Sequence, residues 1–174
     1  KLFQINGIRN QVDSWRRDKA QFKRWAEGKT GVPFVDANMR ELNATGFMSN
    51  RGRQIVASFL VNDLQIDWTW GASYFESLLV DYDVCSNWGN WMYVGGVGND
   101  PRENRYFNIL RQAKNYDRNG DFVRLWVPEV QTIQGFDIHQ PWELSTSKLH
   151  NLKIALGQSY PQAIAEIPSL EKAY

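Results

Sequence analysis

Between residues 50 and 64 the chain repeats apolar side chains at Val56, Phe59, Leu60 and Leu64, the i, i+3, i+4, i+8 spacing of one helix face. Nowhere does the sequence alternate convincingly with period two, so sheet is not its organising element and the expected fold class is all-α. The first turn of this helix is unusual. Arg51 and Arg53 crowd it, where cations oppose the helix macrodipole at about 0.3–1 kcal/mol each. Such a local violation marks residues held for something other than helix formation, and it predicts anionic partners for both.

The neighbouring segments read as helices with short connections. Asp13 or Ser14 is expected to cap a helix carrying Trp15, Phe22, Trp25 and Ala26 on one side, ended by Gly28. Pro33 suits the first turn of a second helix, whose stripe is Val35, Met39 and Leu42 and whose stop is Gly46. A further helix is predicted near 71–80, with Tyr74, Phe75, Leu78 and Leu79 inward. From 81 to 100 the period breaks around glycines 89, 95, 96 and 98, and a loop-rich segment holding Trp88, Trp91 and Tyr93 is expected. Helical patterns resume at about 103–115 and 120–126. Beyond residue 131 the patterning is weak, with short helices predicted at 147–156 and 161–166.

At 174 residues the chain can bury a substantial core. Lys and Arg total 20 against 19 Asp and Glu, so nucleic acid would have to be held by a local patch. The one local excess, seven basic against three acidic residues over 9–29, is equally well a solvated helix face. A single cysteine, Cys85, the start at Lys1 without a signal-like run, and no apolar stretch near 18 residues lead to the expectation of an intracellular protein in a reducing compartment: cytoplasm, organelle or nucleus.

Several familiar motifs fail. Glu27-Gly28-Lys29-Thr30 lacks the earlier glycine of a phosphate-binding loop, Lys23 standing in its place, and it joins helices rather than following a strand. Gly95-Gly96-Val97-Gly98 is too short for a dinucleotide fingerprint. His139 and His150 are eleven apart with no cysteine partners, so no metal site is predicted.

What remains is a stretch, 45–93, that puts Arg, Asp and Trp in one apolar neighbourhood, which suits a chain with something polar and flat between them. Its motifs are TGFMSNRGRQ (45–54), ASFLVNDLQIDW (57–68) and DYDVCSNWGNW (81–91), with KTGVPFVDANMREL (29–42) before and LWVPEV (125–130) after. In this order and spacing they resemble the C-terminal helical FAD-binding region of the DNA photolyase and cryptochrome family, over roughly residues 15–142. Gln54 with Tyr93, and the run GNDPRENRYFN (98–108), are similar to the DASH cryptochrome branch. The resemblance implies that residues 1–174 form the C-terminal part of a helical FAD- and DNA-binding domain, with an N-terminal α/β antenna domain outside this chain. It implies FAD as cofactor, a folate-type antenna pigment bound mainly by other parts, a monomer, and DNA as partner, single-stranded more than duplex. The implied activity is blue-light reception with light-driven cyclobutane pyrimidine dimer repair. An ordinary duplex photolyase, or a helical interaction module with no cofactor, are the alternatives.

The implied roles attach to particular residues. Asn50, Arg53, Asp81, Asp83 and Asn87 would hold the flavin, with Arg53 and Asp81 flanking its ring and Asn87 facing N5. From the residues alone, Arg53 and Asp81 are as well a buried ion pair tying two helices, costing roughly 3–5 kcal/mol to break from one side. Trp91, Trp68 and Trp15 match a three-step electron-transfer chain, with Trp91 innermost and Trp15 at the surface; Trp25, Trp126 and Trp142 are assigned to core packing. Asn50, Arg51, Gln54 and Tyr93 match a lesion pocket for flipped bases. Arg102 and Arg105 are candidate phosphate contacts, or ordinary surface arginines.

Overall fold

The computed structural model describes residues 3–8, 15–99 and 106–170. Among them the regular structure is helical: α1 (Lys19–Ala26), α2 (Pro33–Thr45), α3 (Asn50–Ser58), α4 (Trp68–Leu78), α5 (Val84–Val94), α6 (Ile109–Tyr116), α7 (Asp121–Trp126) and α8 (Thr146–Asn151), with short 3-10 turns between α7 and α8. The all-α expectation holds.

α2 is the hub, packing on α1, α3, α6 and α7, while α4 packs on α5. Pro33 opens α2, and Gly46 closes it with φ 70°, its N–H donating to Leu42 O. The stripe Val35, Met39, Leu42 is fully buried. α1 starts later than expected. Asp18 is its cap, accepting from Ala20 N and Gln21 N at 3.0 Å, while Asp13 and Ser14 lie outside the described residues. The basic run is largely spent locally, since Arg16 pairs with Asp18, Arg17 with Asp67, and Lys23 and Lys29 with Glu27.

The helix read over 50–64 does run that far, but its last turn is π-helical. After Ser58 the ladder widens over Phe59–Asp63, with Leu64 N donating to Phe59 O at 3.0 Å. Such turns insert one extra residue and occur frequently at functional sites. α4 begins at Trp68, earlier than expected, because Asp67 caps it through Thr69 N.

Two sequence expectations are corrected. The segment after Asp81 is a helix for most of its length: Asp83 caps α5 through Ser86 N at 2.8 Å. Its buried face is Asn87, Trp91, Met92 and Val94; a polar residue inside the stripe hides the helical period. Residues 161–166 form no helix. They are clasped instead. Asp36, fully buried on α2, accepts from Thr30 N and Thr30 Oγ1 (2.7 and 2.6 Å), Gly31 N (3.1 Å) and Tyr160 Oη (2.6 Å). Arg24 Nη2 donates to Gln162 O at 2.8 Å, and Ile164 N to Thr30 O at 2.9 Å. Gly31, at φ 79°, has no room for a Cβ, which would overlap the backbone of Gln162. Burial raises the Asp36 carboxyl above its usual range against these four donors.

Candidate functional site

α3, the end of α4 and α5 enclose a groove. Phe75, Leu79, Ala57 and Trp91 make an apolar wall, and Arg53, Gln54, Asp81, Asn87 and Asn90 supply polar edges. Each polar group is positioned by its element. Ser49 caps α3 through Gly52 N, setting Arg53 one turn in. Arg53 Nε donates to Met48 O at 2.9 Å, and its Nη2 donates to both oxygens of Asp81 at 2.8 Å. A guanidinium held in this fork presents a flat charged edge to the groove.

This pair is not buried. Arg53 is 27% and Asp81 52% exposed, so the cost of 3–5 kcal/mol expected for breaking a desolvated pair does not apply; water screens it. Asp83 spends one oxygen on the α5 cap, and the Ser86 N–H and hydroxyl hold its carboxyl below the ordinary value. Asn87, buried, donates from Nδ2 to Ala72 O at 2.9 Å, leaving Oδ1 as the end available to a ligand.

Among the sequence-predicted residues, Asn50, Arg53, Gln54, Asp81, Asp83, Asn87, Trp91 and Tyr93 line this one groove. Arg51 departs from expectation. Its guanidinium lies over the rings of Phe107 and Tyr116, 5.8 and 5.1 Å from their centroids, so among the described residues its partners are aromatic faces rather than anions. Arg102 and Arg105 lie outside the described residues. Sequence reading missed Phe75, Leu79, Tyr82, Asn90 and Phe107 as lining residues. The pairing of α4 with α5 brings the first four there, and a hydrogen bond from Phe107 N to Ser58 Oγ at 3.1 Å ties Phe107 to the end of α3; no local signal announces either.

Trp91 is 2% exposed and sits edge-on to Phe75 and Trp25, at 5.1 and 6.1 Å between centroids. Gly71 makes this possible, because a Cβ there would overlap the Trp91 ring. Trp68 is fully buried and packs under Gly95, its Nε1 donating to Ile5 O at 3.0 Å. Trp15 is half-buried, and its Nε1 is buried without a hydrogen-bond partner among the described residues. Trp25 is a core residue, donating to Val56 O at 3.0 Å.

The groove suits a planar heteroaromatic ring: an apolar wall, a cationic edge, an acceptor carboxylate and an amide oxygen line it together. Among the described residues no group of three or more His, Cys, Asp or Glu could hold a metal, and no helix is long and apolar enough to cross a membrane.

Comparison with known proteins bears directly on this geometry. The family described as the FAD-binding domain of DNA photolyase matches residues 4–173, a wider span than the motifs alone indicate. The chain is 58% identical over 168 residues to cryptochrome DASH of Xenopus laevis, covering 97% of this chain and 32% of that protein. It is 56% identical over 162 residues to cryptochrome DASH of Synechocystis sp., covering 93% and 33%. Among solved structures, the Synechocystis cryptochrome superposes with a TM-score of 0.92 at 54% identity, covering 95% of this chain and 34% of that one. The bacterial class III photolyase of Agrobacterium tumefaciens superposes at 0.83 and 44% identity, covering 88% and 32%. The chain thus spans about a third of the length of the curated relatives it matches. It belongs to the family of FAD-binding domains of DNA photolyase, whose cofactor is FAD, and within that family it is similar to the DASH cryptochromes.

Proposed function

We propose that this chain is the flavin- and DNA-contacting part of a DASH-type cryptochrome, a blue-light receptor that also reverses cyclobutane pyrimidine dimers, chiefly in single-stranded DNA. The observation that carries the reading is the groove itself, which the Arg53–Asp81 fork and Asn87 line together with the apolar side chains of Phe75, Leu79 and Trp91. FAD bound there supplies light-driven electron transfer. Arg53, Asp81, Asp83 and Asn87 would hold it: the Arg53 guanidinium would offset negative charge that the ring gains on reduction, the two carboxylates would accept hydrogen bonds, and Asn87 Oδ1 would offer one more acceptor. Trp15, Trp68 and Trp91 form an indole relay inward from the surface. The rest of the pocket, an α/β domain and a folate-type antenna belong in this reading to other parts of the parent protein.

The mouth of the groove sets the substrate. Flipping a dimer from a duplex costs a few kcal/mol, while aromatic stacking on a base returns about 1–3 kcal/mol. Tyr93 offers less stacking area than a Trp, and Gln54 must be desolvated against an apolar cyclobutane ring. These differences are comparable to the flipping cost and favour single strands, where unpairing costs nothing. Arg51, stacked beside Phe107 at the same end, is available to phosphate or base edges. Dimer loss per photon on matched single- and double-stranded oligonucleotides tests this. Single strands should be repaired much faster, and Tyr93→Trp with Gln54→Met should narrow the gap. Equal yields in the unmodified protein would overturn the substrate assignment.

A further inference from the structure

Away from the groove, α4 and α5 bring an indole and a base together. Trp88 Nε1 donates to Glu76 Oε2 at 2.9 Å. The Trp88 ring meets Trp68 edge to face, 5.8 Å between centroids at 80°, and Phe3 covers it from another side at 5.8 Å. Trp68 is buried, Trp88 half-buried and Glu76 exposed. The three therefore run from core to solvent: a dry indole, an indole at the boundary, a carboxylate in water.

An indole that loses an electron becomes a far stronger N–H acid, and a hydrogen-bonded carboxylate can take the proton as the electron leaves. Once the proton has gone to a base in contact with water, the electron cannot return without a proton being recovered. Among the described residues, Trp15, Trp25 and Trp68 lack this arrangement. Trp15 Nε1 is buried with no partner among the described residues, so an oxidised Trp15 has no base at hand. Trp25, which touches Trp91, donates to the Val56 carbonyl, which is no proton acceptor. Trp68 donates to the Ile5 carbonyl. Among the described residues, only Trp88 joins contact with Trp68 to a carboxylate on its own N–H.

We propose that Trp88 and Glu76 form a proton-coupled branch of the relay: an oxidised Trp68 takes one electron from Trp88, and the Trp88 Nε1 proton passes to the Glu76 carboxylate. The products are neutral Trp68, a neutral Trp88 radical and protonated Glu76, which releases its proton to solvent. The inference rests on the reading of Trp68 as a relay member. The oxidant that first acts on the relay is a one-electron acceptor, light-excited flavin in the parent protein or an added one in the test.

The test uses the whole flavin-containing protein with a photogenerated ruthenium(III) polypyridyl oxidant. Time-resolved absorption separates the indole radical cation from its neutral form, in H2O and in D2O. The unmodified protein should form the neutral radical with a deuterium slowing. Glu76→Gln preserves a hydrogen-bond acceptor but removes the base, and should slow deprotonation by about a hundredfold, the low end of what a positioned base contributes. Trp88→Phe should abolish that phase. Wild-type deprotonation rate and deuterium effect in Glu76→Gln would overturn the branch. Trp68→Phe separates the two failures: loss of radical yield there, with Glu76→Gln and Trp88→Phe silent, keeps the relay and sinks the branch. Unchanged yield in Trp68→Phe sinks both.

Discussion

Replacing Asp63 by Asn should make the protein markedly more stable at alkaline pH and leave it nearly unchanged in acid. Asp63 closes the π-helical turn. Its Oδ1 accepts from Tyr106 Oη at 2.9 Å, but its Oδ2 is buried with no hydrogen-bond partner among the described residues. Burial pushes the carboxyl from 3.8 up to about 7, with the Tyr106 hydroxyl opposing only in part. The folded state thus keeps a proton that the unfolded chain gives up. The stability from Asp63 is fully present below pH 3.8 and is lost as pH rises through 7. At about 1.36 kcal/mol per unit, the loss approaches roughly 4 kcal/mol by pH 8. Asn keeps an acceptor for Tyr106 and carries no charge at any pH. The stability advantage of Asp63→Asn should therefore grow by about 2–3 kcal/mol between pH 5 and 8, which at roughly 2–4 °C per kcal/mol is a widening of about 5–10 °C in Tm. Thermal unfolding of both proteins across that range measures it. A Tm difference that stays constant with pH would refute the reasoning.

Gly71→Ala should drive Trp91 out of its seat at a cost of about 1–3 kcal/mol; an unchanged Tm and unchanged Trp91 fluorescence would argue against the tight seat. Arg53→Leu should empty the flavin site while costing no more than about 1 kcal/mol of stability, as for a screened pair; flavin absorbance and denaturant melts separate the two. His139 is buried, its Nε2–H donating to Asp117 O at 2.6 Å and its Nδ1 without a partner among the described residues. Burial lowers its pKa below 6.5, so its stabilising contribution is present above that pH and lost as pH falls below it. His139→Gln should then flatten the acid limb of a stability–pH curve. Trp91→Phe should slow flavin photoreduction under blue light with an external thiol while leaving flavin bound.

Much of the architecture is written locally. The period of Val56, Phe59, Leu60 and Leu64, the Pro33 and Gly46 boundaries of α2, and the three motifs between 45 and 91 can each be read within a few residues, because helix faces and caps are set by neighbours at i+3 and i+4. That is why the helical class, the family and half of the groove residues are legible in the chain. The π-turn, the aromatic partners of Arg51 and the helicity of α5 are not, since a polar Asn87 at a buried position makes sense only when Ala72 O is there to receive it. Tyr160 and Asp36 stand 124 residues apart, and Trp88 and Glu76 twelve. Such contacts depend on which helices pack together and how much water they exclude. Burial also decides which groups titrate abnormally: Asp63 and Asp36 are ordinary carboxyls in sequence, and only the packing around them raises their pKa.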